Sequence, residues 1–273
     1  MSPIRPIFRT LPAAVLLLSA SAFTQLSAAD SAATDYWVRV MPAAWFASFK
    51  GETAYTTNGA NSATQDLSTL DLANQETGFG LEVSAKLPFL VCLHAGGYMM
   101  GTDGSFTSAG LSYGGQTFVN GTAMTSSIDV SDLYVEADLR PIDLDVAGFA
   151  IGVGYHSMNA KVSLSGGGAE GKLDEDLQFP VLALRGHVNL PILQSLGAEA
   201  KIHWMDISYS GTRVAYLDAT AQITWRPWDH LGFIGGYRYV GADIRFKEPT
   251  GTNASADVDV TLSGPFLGLI AKF

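Results

Sequence analysis

Strict alternation of apolar and polar residues is the feature that most constrains how this chain folds. Three segments show it most clearly, and they cover residues 79–87, 133–140 and 215–226. Successive side chains of a β-strand point to opposite faces, so each segment is predicted to be a strand with one apolar and one polar face. A helix would scatter the charges of these segments around its axis. The sequence therefore predicts an all-β fold.

Two styles of turn alternate between the predicted strands. Four short turns carry a proline, at Pro88, Pro141, Pro191 and Pro227. Proline cannot donate to a β-ladder and belongs in turns or at strand ends. The other turns are rich in Gly, Ser, Thr and Asn, and they are predicted at about 51–76, 102–126, 158–175, 210–211 and 248–256. Together these turns divide the chain into about ten strands, with both termini at the short-turn end.

The N-terminal residues have the three parts of a secretory signal peptide. Arg5 and Arg9 precede an apolar stretch from Leu11 to Phe23, and small residues at 27–29 follow as a cleavage site. The stretch is shorter than the ~18–20 residues of a spanning helix. We expect residues 1–29 to be the signal peptide and residues 30–273 to form one barrel domain.

Charge and residue counts exclude several kinds of partner and site. The formal net charge is −10 and the basic residues form no cluster, whereas nucleic-acid binding needs a basic stripe. The single cysteine, Cys92, excludes an intramolecular disulfide. The histidines do not pair at metal-ligand spacing, so neither a metal nor another cofactor is predicted. The five histidines are His94, His156, His187, His203 and His230.

A membrane barrel and a soluble barrel differ in which face of the strands points inward. Glu199, Lys201 and His203 share one face of a strand, and with charged residues at only 15% a packed polar lumen fits better than a solvated exterior. We therefore predict that apolar faces meet lipid and that charged residues line the lumen. The predicted lumen residues are Glu82, Glu136, Asp138, Arg140, Arg185, Glu199, Lys201, Asp218, Arg226 and Arg238.

Aromatic residues are predicted to form girdles at the two membrane interfaces. At the short-turn end these are Phe89, Trp225, Trp228 and Phe273. Towards the loops they are Tyr98, Tyr155, Tyr209, Tyr216 and Tyr239.

The end of the chain resembles the assembly signal of Gram-negative outer-membrane proteins. Leu267, Leu269, Ala271 and Phe273 share one face of the last predicted strand, and such proteins end with an aromatic residue after alternating apolar positions. With the signal peptide and the strand count, the whole mature chain resembles small Gram-negative outer-membrane β-barrel proteins. The resemblance implies a transmembrane up-and-down antiparallel β-barrel, recognised by the barrel-assembly machinery and surrounded by outer-membrane lipid and lipopolysaccharide. We expect a monomer. The resemblance implies no substrate.

Three functions remain open, and the first is favoured. In the first, the barrel has a structural role or binds through its loops, and paired charges largely plug its lumen. Alternatively, the same charges line a narrow channel for small solutes. The third alternative is an enzyme that modifies lipid or peptide at the outer membrane.

The residues that suggest an enzyme depart from the known patterns, so no catalytic role is predicted. His156 and Ser157 resemble the pair of lipid A deacylases, but those enzymes place the serine two residues after the histidine, on the same face. No acid is evident in the sequence to orient His156. His203 and Asp206 resemble a protease pair, but their spacing puts them on opposite faces.

One alternative fold has the opposite orientation. A secreted soluble β-barrel would have an apolar interior. Its ligand would then lie among Leu217, Ala219 and Ile223.

Overall fold

The structure is a computed structural model. It describes residues 36–56, 64–113, 116–144, 146–190, 195–209, 212–247 and 255–273. The predicted signal peptide, residues 1–29, lies outside these ranges and stays a prediction. No helix among the described residues is long and apolar enough to cross a membrane.

Strands account for most of the described chain. Their bounds are β1 (Val38–Thr56), β2 (Gln65–Asp66), β3 (Gln75–Lys86), β4 (Val91–Thr107), β5 (Leu111–Tyr113), β6 (Gln116–Phe118), β7 (Ala123–Asp143), β8 (Ala147–Gly166), β9 (Ala169–Asn189), β10 (Leu196–Tyr209), β11 (Thr212–Trp225), β12 (Leu231–Lys247) and β13 (Ser255–Lys272).

The ten long strands form a closed antiparallel barrel. Each pairs with the next long strand along the chain, and β13 pairs with β1 from Arg39 opposite Lys272 to Thr56 opposite Ser255. A closed barrel leaves no open sheet edge in lipid. The predicted all-β, ten-stranded, up-and-down barrel is therefore confirmed. The start of β1 and the end of β13 both lie at the short-turn end.

The outward face of the barrel changes from apolar to polar along each long strand. On β8, Ile151, Val153 and Tyr155 point outward and are well exposed. Beyond His156 the exposed outward residues are polar, for example Ser157 and Lys161. The ~9–11 residues that a tilted strand needs to cross hydrocarbon account for only part of a 20-residue strand.

The inward face changes in the opposite sense. On β7, Asp138, Glu136 and Asp132 are buried inside the barrel, and beyond them Val130 and Ile128 are buried instead. We call the part with the apolar outward face the membrane section, and the part with the apolar inward face the outer section. The outer section comprises β1 47–56, β4 100–107, β7 123–131, β8 157–166, β9 169–181, β12 240–247 and β13 255–263.

The predicted loops at this end are shorter than expected because the strands continue through them. The segment predicted as a loop at 158–175 is a hairpin of β8 and β9 joined by Gly167 and Gly168 alone. Both glycines have positive φ, 61° and 81°, which suits a two-residue turn. The outward residues of β8 and β9 in this segment are polar and have the composition of a loop, whereas most of the inward residues are apolar.

The short turn predicted at Pro141 is also displaced. β7 continues to Asp143, and its pairing with β8 shifts between Leu139 and Ile142. Proline fits such an irregularity because it has no N–H to contribute to the ladder. The next strand, β8, begins at Ala147.

Two segments between strands form a roof over the outer section. In residues 64–74, Leu67, Leu70 and Leu72 are buried in the same apolar cluster as the interior residues. The Ser126 hydroxyl donates to the Leu70 carbonyl at 2.5 Å. The β5–β6 hairpin contacts β1 and β9, which lie on opposite sides of the barrel. The roof therefore crosses the mouth at the loop end.

Candidate functional site in the barrel interior

Arg185 on β9 joins three strands inside the membrane section. Its guanidinium donates twice to Glu136 on β7, from Nε to Oε1 at 3.0 Å and from Nη2 to Oε2 at 2.7 Å. Its Nη1 donates to Oε1 of Glu82 on β3 at 3.0 Å. All three side chains are buried. Bidentate geometry of this kind is the strongest form of ion pair.

Two further pairs extend this contact across the lumen. Lys201 on β10 donates to Glu82 Oε2 at 2.8 Å, and Arg39 on β1 donates to Glu199 on β10 at 2.7 Å. β3 and β10 are five strands apart in a ten-strand barrel, so the Lys201–Glu82 pair joins opposite walls. We call the six residues Arg39, Glu82, Glu136, Arg185, Glu199 and Lys201 the charge network.

A layer of aromatic rings and histidines lies on the roof side of the charge network. His156 stacks between Tyr134 and Phe179, with ring centroids 5.2 and 5.6 Å away. Tyr216 and His203 complete the layer, each with its centroid about 5 Å from that of His156. His203 also lies 2.9 Å from Glu136, which links the layer to the charge network.

Asp132 orients His156, contrary to the expectation that no acid is placed to do so. Its Oδ2 lies 2.8 Å from His156 Nδ1, and both side chains are fully buried. The acid was missed because it is 24 residues away, on the neighbouring strand β7. Opposite residues of paired strands can be matched only once the register is known, and here Asp132 faces Met158, two pairs beyond the Tyr134–His156 pair.

Tyr98 and Trp45 form a second group of rings, around Arg238. Arg238 donates to both carboxylate oxygens of Asp218, at 3.1 and 2.7 Å. Its guanidinium lies over the rings of Tyr98 and Trp45, 4.4 and 5.1 Å from their centroids. Tyr98 and Tyr216 are thus inside the barrel, so the prediction that they belong to an outer girdle is wrong.

Arg140 and Arg226 lie at the inner mouth, at the short-turn end. They line an open cavity together with Tyr36, Lys86 and Lys272. The ammonium groups of Lys86 and Lys272 each lie 5.1 Å from the Tyr36 ring centroid. All ten of the charged residues predicted to line the lumen therefore lie inside the barrel or at this mouth, and their role there stays a prediction. Sequence reasoning missed Arg39, Lys86, Asp132 and Lys272.

One group of possible metal ligands is present among the described residues. Cys92, His94 and Asp138 place one ligand atom each within 4.8 Å of the others. However, His94 already lies 2.9 Å from Ser84 Oγ and 3.0 Å from Asp138 Oδ2. Arg185 and Arg140 also lie within 4 Å of Asp138. Hydrogen bonds and ion pairs thus account for the group, and the nearby guanidinium groups oppose a cation.

The pairs that suggested catalysis remain apart. Ser157 lies on the outward face, so its hydroxyl and the buried His156 ring are on opposite sides of the wall. Asp206 is exposed and pairs with Arg213 at 3.0 Å, while His203 is buried. In each of the two pairs, the residues therefore lie on opposite faces of their strand, as the sequence predicts.

The outward face carries the residues predicted to meet lipid. Leu267 and Leu269 are exposed on β13, Phe273 is exposed directly after it, and Ala271 shares their face. Phe89, Trp225 and Trp228 are exposed at the short-turn end, and Tyr155 and Tyr239 at the other end of the membrane section. The side chain of Tyr209 lies outside the described residues. Leu217 and Ile223 also point outward, against the soluble alternative.

The outer section encloses an apolar cavity. Side chains of β7, β8 and β9 form one wall and those of β12 and β13 the facing wall, with Tyr98 at the floor. The volume that it encloses is about 60 Å³, and it continues into open solvent. We call it the chamber. Of its lining residues, Tyr98 and Glu175 alone have polar side chains.

These features define an outer-membrane β-barrel: a closed barrel with an apolar belt outside and paired charges inside. No protein-family profile matches the chain, and no curated protein matches it. Among solved structures, it is similar to the transport unit of the autotransporter AIDA-I from Escherichia coli, with 11% identity, coverage of 90% of this chain and 93% of that one, and a TM-score of 0.40.

It is also similar to the outer membrane protein OprG from Pseudomonas aeruginosa, with 13% identity, coverage of 87% and 97%, and a TM-score of 0.38. Likenesses of this size add nothing to the assignment, which rests on the closed barrel and its apolar outer face.

Proposed function

We propose that this barrel is closed across the membrane and works by binding at its outer section, without a catalytic role. The observation that supports this is the charge network, in which Glu82 on one wall pairs with Lys201 on the opposite wall. Paired side chains occupy the path that water and ions would take. Separating a buried pair leaves an uncompensated charge, which costs about 3–5 kcal/mol. The network therefore favours a plugged lumen over an open one.

Conductance of the full chain in planar bilayers tests the plugged lumen. We expect no discrete current from the wild type. The double variant Glu82→Ala, Arg185→Ala should give small discrete steps, because it removes both a carboxylate and a guanidinium from the lumen. Arg245→Ala, at an exposed position of the outer section, is the matched control and should stay silent. Discrete current from the wild type would contradict the proposal.

A narrow channel is the second candidate, and the inner mouth favours it. Arg39, Lys86, Arg140, Arg226 and Lys272 all line the cavity there, whereas Glu199 is its one acidic lining residue. A channel with this mouth would prefer anions. If the wild type conducts, Arg185→Ala and Arg238→Ala should reduce the current or its anion preference, and unchanged selectivity would count against this candidate.

We further propose that the barrel is a monomer, that its outward face contacts lipid and lipopolysaccharide, and that the barrel-assembly machinery recognises the last strand. The supporting observation is that Leu267 and Leu269 are exposed on one face of β13 and that Phe273 is exposed directly after it. Phe273→Ala should lower the yield of heat-modifiable, folded barrel in the outer membrane. Phe89→Ala, in an exposed turn, is the control. Equal yields for the two variants would contradict recognition of Phe273.

A further inference from the structure

The outer section has the construction of a soluble ligand-binding barrel placed on top of a membrane barrel. Ile128, Met158 and Val162 line one wall of its chamber, and Val240 and Leu262 line the other. An apolar interior between two walls is where small soluble barrels hold one ligand. The charge network lies on the far side of the aromatic layer, so the chamber is separate from the interior of the membrane section.

The barrel wall has an opening at the level of the chamber. Among the described residues, pairing between β9 and β10 ends at Leu182 and Trp204. β9 continues from there to Ala169, whereas β10 ends at Tyr209. Pro180, which has no N–H, is exposed just beyond the last pair. The described strands therefore leave a gap in the wall beside Leu173 and Leu177, which line the chamber, and this side opening gives a route into it.

Charge at the opening limits which ligands can enter. Glu175 lines the chamber, and its neighbours Asp174 and Asp176 lie on the outward face of the same strand, the one that borders the opening. Asp174 and Asp176 both accept from Asn159, and Asp174 also pairs with Lys172. Three carboxylates against one ammonium leave a net negative charge beside the opening, which repels anions at short range. The chamber wall itself offers almost no group that could pair with a charge of either sign, and burying an unpaired charge is costly.

Tyr98 forms the floor of the chamber. Tyr98 separates the chamber from the cavity beneath it, because it lines both. Its hydroxyl is buried and has no hydrogen-bond partner among the described residues. That hydroxyl is enclosed by protein atoms, so the chamber offers a ligand an almost wholly apolar surface.

From the chamber, its side opening and the acidic rim, we infer that the outer section binds an uncharged, largely hydrocarbon small molecule. The inference rests on the proposed binding role of the outer section and names its ligand class. It does not rest on the plugged lumen. Conductance in the wild type would therefore contradict the plugged lumen but not this inference. Failure to bind an uncharged ligand would contradict this inference but not the plugged lumen.

Two dyes with the same ring skeleton test the inference. N-phenyl-1-naphthylamine is uncharged, and 8-anilinonaphthalene-1-sulfonate adds one negative charge. Each is titrated against the full-length barrel in detergent, with protein-free micelles as background. We expect the uncharged dye to bind saturably and at least about tenfold more tightly than the sulfonate.

Variants locate the dye. Ala160→Phe and Ala242→Phe each fill part of the chamber and should weaken binding of the uncharged dye at least about tenfold. Ala221→Phe, the same change on the lipid-facing side of β11, should not. Heat-modifiable migration confirms that each variant is folded. Unchanged binding in the folded chamber variants, or tighter binding of the sulfonate, would overturn the inference.

Discussion

At the scale of the residue, Glu82 is the carboxylate on which the charge network converges. It accepts from Arg185, Lys201 and Tyr134 at 3.0, 2.8 and 2.6 Å. These donors come from three different strands, so one side chain holds three parts of the wall in register. The net contribution of such a buried group is small compared with the cost of removing it alone.

Glu82→Gln should therefore lower the free energy of unfolding by about 3–5 kcal/mol, because Lys201 and Arg185 lose a charged partner in a narrow lumen. Urea unfolding of the barrel in lipid vesicles measures this. Arg245→Gln removes one member of an exposed pair with Asp243 and should cost less than about 1 kcal/mol. Equal losses in the two variants would show that the charge network contributes no more than a surface pair.

At the scale of the element, residues 64–74 form a short, well-anchored turn. The Ser68 backbone N–H donates to Asp66 Oδ1 at 2.7 Å, and hydrogen bonds from the Ser68 side chain and backbone lower the pKa of the Asp66 carboxyl. Asp71, at φ 57°, accepts from the Ser105 backbone N–H on β4 at 3.2 Å. A Cβ on Gly104 would lie 2.4 Å from the Asp71 carbonyl oxygen, so glycine lets this turn approach the wall closely.

Leu70→Asp should detach this part of the roof, because it places a carboxylate in the apolar cluster where Leu70 is 1% exposed. Limited proteolysis of intact cells or vesicles should then cut within 64–74, while the barrel remains heat-modifiable. Val119→Asp, at a position that is 71% exposed, is the control and should leave the cutting pattern unchanged. Resistance of the Leu70 variant to protease would contradict the anchoring of the roof by its leucines.

At the scale of the whole molecule, alternation and turn style were sufficient to predict the closed barrel. They did not predict the outer section, because polar outward residues such as Asn159 and Lys161 have the composition of a loop. The signal was present in the inward residues, where Met158, Val162 and Leu164 keep the period of two. Pairs across the lumen, such as Arg39 with Glu199, could not be predicted because they depend on register and closure around the barrel.

A nitroxide scan along β8 tests the central claim, that the outward face of a single strand contacts lipid in the membrane section and water in the outer section. Single cysteines are placed in a Cys92→Ser background, and their accessibility to oxygen and to a water-soluble nickel chelate is measured in lipid vesicles. Outward positions Ile151 and Val153 should favour oxygen, and outward positions Asn159 and Lys161 should favour the nickel chelate. Inward positions Met158 and Val162, which line the apolar chamber, should be protected from the nickel chelate. A preference for oxygen that continues through Lys161, or a preference for the nickel chelate at the inward positions, would contradict the account.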